Sequence, residues 1–217
     1  MPDFDKNWRP SRPVEAAAKF TERLVELRSS LRLLAPELVA VRSGASYQTQ
    51  DSNSGRLLIP LWGNMCVLNW PELTGYDQLG HPLLDFQTAL LFYHLLTADG
   101  TPVSGRWISF ADLPHGRMYN TAFQGYSGDE VVKVFGSNLD SLHQACLSMG
   151  GVEAGPASAS FIFQPLPRVP LMLTYWLGDE EFPSACKILF DESASHYLPI
   201  DACAILGSML VRKLPHP

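Results

Sequence analysis

Three strand-like segments near the C-terminal end constrain the fold more than any other feature of the sequence. Residues 158–164 (SASFIFQ) alternate polar and apolar side chains, residues 171–177 (LMLTYWL) are almost continuously apolar, and residues 185–190 (ACKILF) are again typical of a strand. The connections between them are too short for the crossover helix that parallel neighbours require. We therefore predict that Leu171 to Leu177 pairs antiparallel with Ala185 to Phe190 around the loop Gly178 to Ser184.

The first half of the chain carries helix signals. An amphipathic pattern starts at Pro13 and runs to about Leu34, and Pro36 is predicted to end it. Pro82 is predicted to open a second helix that runs through Leu96. Apolar residues surround nearly the whole of this second helix, so we expect it to be buried on most sides.

Two β-type runs between these helices predict a hairpin from Leu57 to Trp70, with Gly63-Asn64 as its two-residue turn. Pro60 cannot donate a ladder hydrogen bond, so this strand either lies at an edge or turns the Pro60 side outward. Helices gather early and strands late, which favours an α+β fold with a mostly antiparallel sheet and flanking helices. We predict a single α+β domain over residues 13–217, preceded by a loosely held N-terminal arm over residues 1–12.

The charge balance disfavours two classes of partner. The chain of 217 residues has 22 acidic and 16 basic side chains and a net charge of -6, which disfavours nucleic acid and anionic membranes. The longest strictly apolar run, Ala89 to Tyr93, is far shorter than the ~20 residues of a membrane-spanning helix.

The N-terminus and the cysteines indicate the compartment. The N-terminus lacks a signal-peptide pattern, so we predict a cytoplasmic protein. The four cysteines form no C-x-x-C pair, so we predict buried thiols and no metal site.

Two segments carry a resemblance to a known family. They are residues 167–201 (PRVPLMLTYWLGDEEFPSACKILFDESASHYLPID) and residues 89–119 (ALLFYHLLTADGTPVSGRWISFADLPHGRMY). Together they resemble the domain of unknown function 3786 family, and the similarity extends over most of the chain beyond about Leu38. The resemblance implies no assigned activity and an occurrence largely in anaerobic bacteria and archaea. Some members carry an iron-sulfur-type cysteine segment; this chain lacks one, so cluster binding is not carried over.

The acidic residues of the C-terminal third separate into two groups. Asp179, Glu180 and Glu181 lie in the predicted hairpin loop, whereas Asp191 is expected across from Leu171 at the open end of the hairpin. Five or six strand residues at ~3.3 Å each place about 15 to 20 Å between the groups, so they are expected to form two clusters rather than one.

The open end of the hairpin offers one candidate site. There the pairing brings Arg168 near Asp191, Glu192 and His196, where the arginine could hold a carboxylate or phosphate of a ligand. The alternative is a structural ion pair between Arg168 and Asp191. At the other end, Glu181 could be held in place by the stiff Phe182-Pro183 step, or the loop could simply be a solvated turn.

His94 and the large aromatic residues supply further candidates. His94 lies in the mostly apolar second helix, where it is either a core histidine bonded to a backbone carbonyl or an axial ligand or proton-transfer group with His115 or His143 as companion. Several aromatic side chains could wall a pocket for a flat ligand or could be core residues. They are Trp62, Trp70, Trp107, Tyr119 and Trp176.

These features support three hypotheses about function. The first is a cytoplasmic small-molecule or cofactor-binding module of anaerobic metabolism, whose anionic or aromatic ligand contacts six residues: Arg168, His94, Trp107, Tyr119, Trp176 and Glu181. The second is an enzyme that uses Asp191, His196 and Arg168 in acid-base or metal-assisted chemistry. The third is a protein-binding adaptor that uses the edge of the Leu57 to Trp70 hairpin. The cofactor, the reaction and the oligomeric state are not encoded in any motif of the sequence.

Overall fold

The structure is a computed structural model that describes residues 13–216, with side chains from residue 20 onward. The predicted loose arm over residues 1–12 lies outside the described residues. Within the described part, no helix combines the length and apolar character needed to cross a membrane.

The described residues form helices and two antiparallel sheets, which confirms the α+β fold class. The helices are α1 (Pro13–Leu31), α2 (Pro36–Ser43), α3 (Asp85–Thr97), α4 (Asn120–Tyr126), α5 (Gly128–Phe135), α6 (Leu139–Ser148) and α7 (Ile200–Lys213). The strands are β1 (Ser46–Thr49), β2 (Gly55–Leu61), β3 (Asn64–Trp70), β4 (Thr74–Tyr76), β5 (Trp107–Ser109), β6 (Val152–Glu153), β7 (Ala159–Leu166), β8 (Val169–Trp176) and β9 (Ala185–Asp191). The first sheet has the order β1-β2-β3-β4 and the second the order β5-β9-β8-β7-β6.

The predicted C-terminal hairpin is confirmed. Strands β8 and β9 pair antiparallel from Leu171 opposite Phe190 to Trp176 opposite Ala185. Strand β8 is the middle strand of its sheet, and seven of its eight residues are buried, as its continuous apolar sequence predicts. The predicted position of Asp191 is wrong by one residue, because Phe190 faces Leu171 and Asp191 pairs with Trp107 of β5.

The predicted β2–β3 hairpin also forms, but its turn lies one residue earlier. Leu61 pairs with Asn64, so the turn residues are Trp62 and Gly63, with φ angles of 53° and 77°. Positive φ at both positions is the type I′ geometry that matches the strand twist. Strand β2 is an inner strand, but its pairing with β1 ends at Leu58. Among the described residues, no strand therefore pairs with Pro60 on the side away from β3.

Two predicted helix boundaries are corrected. Helix α1 ends at Leu31, and Pro36 begins α2 instead of merely ending α1, because proline is well tolerated in a first helical turn. Helix α3 begins at Asp85 rather than at Pro82, which forms an isolated β-bridge with Tyr76. The side-chain oxygen of Gln87 accepts the Leu84 N–H at 3.0 Å and so satisfies one backbone donor at the start of α3.

Helix α3 is central to the packing. Its residues Leu90, Leu91 and Phe92 are buried in one apolar cluster that includes residues from both sheets, and it packs against α1 and α2. These neighbours on several sides of α3 agree with the prediction that the helix is buried on most sides. Burying the helix brings its C-terminal end close to the end of α2 and to the residues that follow β9.

Candidate functional site

Three of the predicted site residues meet around the C-terminal end of α3. His94 lies in the last turn of α3, Arg168 lies in the turn between β7 and β8, and His196 ends the 3₁₀ turn that follows β9. Arg42, near the end of α2, and Asp99, which follows α3, complete the group. We call these five residues the α3-end cluster.

Arg168 is held by main-chain carbonyl groups. Its Nη1 donates to the carbonyl oxygens of Arg42 and Gly100, at 3.2 Å each. The described residues offer no acceptor to its Nε or Nη2, and none of their carboxylates pairs with it. The predicted ion pair between Arg168 and Asp191 is therefore wrong, because Asp191 accepts from Ser104, Gly105 and Ser193 instead. The guanidinium turns instead toward the Arg42 carbonyl in the last turn of α2, where the helix dipole favours a cation, and toward the Gly100 carbonyl in the loop after α3.

The main chain comes close to this arginine. Gly44 and Gly100 both have positive φ, at 77° and 91°. A Cβ atom at Gly44 would lie 2.9 Å from the Cβ of Pro167, and one at Gly100 would lie 3.8 Å from the Arg168 Nη1 and 3.9 Å from the Cα of Arg42. Arg42 is exposed and forms no ion pair with any described carboxylate. Arg42 and Arg168, neither with an acidic partner in the described part of the chain, therefore lie beside Gly100.

His196 is oriented by Asp99. Its Nδ1 lies 2.7 Å from the Asp99 Oδ2 and 3.2 Å from the Thr101 Oγ1, and about half of each side chain in the His196–Asp99 pair is exposed. Hydrogen bonds, from His196 first and then from Thr101, hold the pKa of Asp99 well below its usual range. The carboxylate therefore accepts from Nδ1–H, and His196 Nε2 has no hydrogen-bond partner among the described residues.

Asp99 was missed by sequence reasoning. In the sequence, the Asp99-Gly100 pair is typical of a helix end, and nothing in the local pattern indicates the histidine at residue 196 as its partner. The two residues are brought together only by the packing of the segment after β9 against the end of α3.

Asp191 is buried and fully engaged. Its Oδ1 accepts from the backbone N–H and the hydroxyl of both Ser104 and Ser193, and its Oδ2 accepts from the Gly105 N–H at 2.7 Å. Burial raises the pKa of this carboxyl, but the hydrogen bonds outweigh burial, and the pKa lies below its usual value. The carboxylate thus ties the segment before β5 to the turn after β9. Glu192 beside it pairs with Arg106 rather than with Arg168.

His94 has the geometry of a core histidine. Its side chain is completely buried, its Nε2 donates to the Ser43 carbonyl at 3.0 Å, and its ring stacks on that of Tyr197 at 5.6 Å between centroids. Its Nδ1 has no partner among the described residues. Burial lowers the pKa of His94 to about 4, against the hydrogen bond to Ser43, which raises it.

The predicted companions of His94 are engaged elsewhere or exposed. His143 pairs with Glu153, and His115 lies at a left-handed position before a 3₁₀ turn. Among the described residues, no three His, Cys, Asp or Glu side chains come together in a way that could hold a metal ion. The four cysteines are all buried and unpaired.

The remaining predicted ligand contacts are spread over the fold. Trp107 pairs with Asp191 and Trp176 with Ala185, so these two rings belong to opposite ends of β9. Tyr119 is exposed between a 3₁₀ turn and α4, and Trp70 is buried.

Glu181 is exposed in the β8–β9 loop, at the other end of the hairpin from Asp191. Asp179 Oδ1 fixes the shape of this loop by accepting the N–H groups of Glu181 at 2.9 Å and of Phe182 at 2.8 Å. The strand register confirms that the two acidic groups lie at opposite ends of the β8–β9 hairpin.

The fold defines this chain as an α+β protein with two antiparallel sheets and helices around them. A family model described as a domain of unknown function, DUF3786, matches residues 35–213. The chain therefore belongs to the DUF3786 family, and the matched range includes every member of the α3-end cluster. No curated protein and no solved structure matches the chain significantly.

Proposed function

We propose that this protein is a binding module for a small anionic molecule, whose carboxylate or phosphate group is held by Arg168 and Arg42. The observation that carries the proposal is the pairing of Arg168 with two main-chain carbonyls through Nη1 alone, which leaves Nε and Nη2 without acceptors. Arg42 lies beside it and also lacks a carboxylate partner among the described residues.

A guanidinium positioned in this way suits an anion. Its planar fork matches the two oxygens of a carboxylate or phosphate, and a charge-assisted bond of this kind is stronger than a neutral one. The bonds to Arg42 and Gly100 restrict the side chain before the ligand arrives, so less conformational entropy is lost on binding. Gly44 and Gly100 keep Cβ atoms away from the guanidinium.

The setting of this function is also a proposal. Four buried, unpaired thiols and a net charge of -6 are in keeping with a cytoplasmic protein. A place in anaerobic metabolism rests on the family resemblance alone. In this account, the ligand is held and released without being converted.

Acid-base chemistry at His196 is the second candidate. Asp99 binds the Nδ1 side of the ring, so a neutral His196 keeps Nε2 as a free proton acceptor, the orientation that general bases use. In this second candidate function, Asp99 is a positioning residue that holds the ring of His196. Asp191 contributes only to folding, because its oxygen atoms already accept from five donors.

The orientation of His196 can be measured directly. We expect nitrogen-15 NMR of the neutral ring to show the proton on Nδ1, and Asp99→Asn to increase the population with the proton on Nε2, because an amide can donate to Nδ1. Thr101→Val, which removes only the more distant hydroxyl, serves as control and should leave the tautomer unchanged. An Nε2-protonated ring in the wild type would contradict the general-base candidate.

The binding proposal predicts a selective effect of Arg168. We expect Arg168→Met to weaken the binding of inorganic phosphate or acetate at least about tenfold by isothermal titration calorimetry, the effect of losing about 1.4 kcal/mol of charge-assisted bonding. Arg106→Met is the matched control. It removes the same charge from an exposed arginine that pairs with Glu192, and we expect a change of less than about twofold because exposed pairs contribute little.

The structural alternative makes a different prediction for the same variants. If Arg168 only caps the ends of helices, Arg168→Met destabilises the fold and the folded variant binds either anion as the wild type does. Equal losses in both variants would indicate non-specific attraction. Either result, or the absence of saturable binding of both anions to the wild type, overturns the proposal.

A further inference from the structure

A groove at the start of α3, the opposite end of this helix from the α3-end cluster, forms a second candidate site. The β2–β3 hairpin, the loop before α3 and the end of α7 enclose about 270 Å³ there. Its lining includes Trp62, Cys66, Leu83, Gln87, Met209 and Lys213. We call it the hairpin groove. Ligand pockets for drug-sized molecules usually measure about 300–1,000 Å³, so this one suits a molecule with a single ring.

The hairpin groove offers unused hydrogen-bond donors. Gln87 uses its Oε1 to accept the Leu84 N–H, which assigns its Nε2 as a donor, and no described residue accepts from that Nε2. Lys213 forms no ion pair with a described carboxylate. The Trp62 Nε1–H is shielded from solvent and has no acceptor in the described part of the chain.

The acidic side chain of the groove is already engaged. Asp77 Oδ1 accepts the N–H groups of Leu79 at 2.8 Å and His81 at 2.9 Å, and its Oδ2 lies 3.3 Å from the His81 Nδ1. Its charge therefore stabilises its own loop. The ammonium group of Lys213 is left as the charge available to a ligand, together with the amide of Gln87.

The apolar part of the lining suits a flat ring. Trp62 presents a half-buried indole from a turn position at φ 53°, where asparagine or glycine is usual and a bulky side chain is strained. Strained residues that the surrounding structure holds in place concentrate at binding sites. The thioether of Met209 and the side chain of Leu83 provide further soft, apolar surface in the same groove.

We infer that the hairpin groove binds a small aromatic carboxylate, with its ring against Trp62 and Met209 and its carboxylate at Lys213 and Gln87. This inference is independent of the anion site at Arg168, because it uses different residues and a ligand with an aromatic body.

Benzoate is the probe that tests this inference, with benzamide as its uncharged counterpart. We expect saturable benzoate binding by calorimetry, a loss of at least fivefold in Lys213→Met, and an unchanged benzamide affinity in that variant. Arg212→Met is the matched control, since Arg212 precedes Lys213, is also exposed and is not part of the lining; it should change benzoate affinity less than twofold.

A second variant separates binding from folding. Gln87→Glu keeps the oxygen that accepts the Leu84 N–H and replaces the donor amide with a negative charge, so α3 should form normally while benzoate binding falls at least fivefold. Absent benzoate binding, no loss in Lys213→Met, or equal losses in Lys213→Met and Arg212→Met would each overturn the inference.

Discussion

Asp191→Ala should destabilise the protein by about 3–5 kcal/mol at pH 7, which is among the largest effects of any single substitution here. The buried carboxylate accepts from five donors on Ser104, Gly105 and Ser193, and alanine would leave the buried donors among them without partners. Urea unfolding followed by circular dichroism measures the loss. The substitution would also remove the link between the segment before β5 and the turn after β9. His196 is the last residue of that turn.

Glu192→Ala is the control for this prediction. Glu192 is the next residue, and its carboxylate pairs with Arg106 at the surface, so its removal should cost no more than about 1 kcal/mol. If Asp191→Ala is as mild as Glu192→Ala, then the carboxylate does not hold the fold together, and its role as a catalytic group must be considered again.

The second large effect is a dependence of stability on pH that arises from His94. Burial lowers the pKa of His94 to about 4, whereas in the unfolded chain the ring has its ordinary pKa of 6.5. Between these values the unfolded state binds more protons, so stability is lost as the pH falls from 6.5 toward 4. A difference of this size corresponds to about 3 kcal/mol.

His94→Gln should remove this dependence. The glutamine can still donate to the Ser43 carbonyl but does not titrate, and the replacement should cost about 1 to 3 kcal/mol at pH 7. Between pH 7 and pH 4.5, the wild type should lose about 2 kcal/mol more unfolding free energy than the variant. Parallel losses would contradict a buried neutral ring. Loss of a bound metal or cofactor from His94→Gln would instead assign His94 to a ligand site.

The strand pairing could be predicted because its signals are local. Residues 171–177 and 185–190 each carry a strand pattern, and the short loop between them permits only an antiparallel pair. The β2–β3 turn was predicted one residue late, because tryptophan is rare at a positive φ and Gly63-Asn64 is the more usual sequence. Strand periodicity therefore identified the elements better than it identified their ends.

The candidate site could be predicted only in part, because its contacts connect distant parts of the chain. Arg168 was predicted beside Asp191, but its hydrogen-bond partners are the carbonyl groups of Arg42 and Gly100, and partners of this kind cannot be identified from residue types. His196 was predicted near Asp191, whereas its hydrogen-bond partner is Asp99, which packing brings to it.

The most direct test of the anion site follows the Arg168 side chain itself. In nitrogen-15 NMR spectra of the arginine Nε–Hε groups, titration with inorganic phosphate and, separately, with acetate should shift the Arg168 signal saturably with at least one of the two anions. The Arg106 signal, from an arginine already paired with Glu192, should move little. An Arg168 signal that stays in place with both anions, or that moves only as much as that of Arg106, would contradict the proposed function.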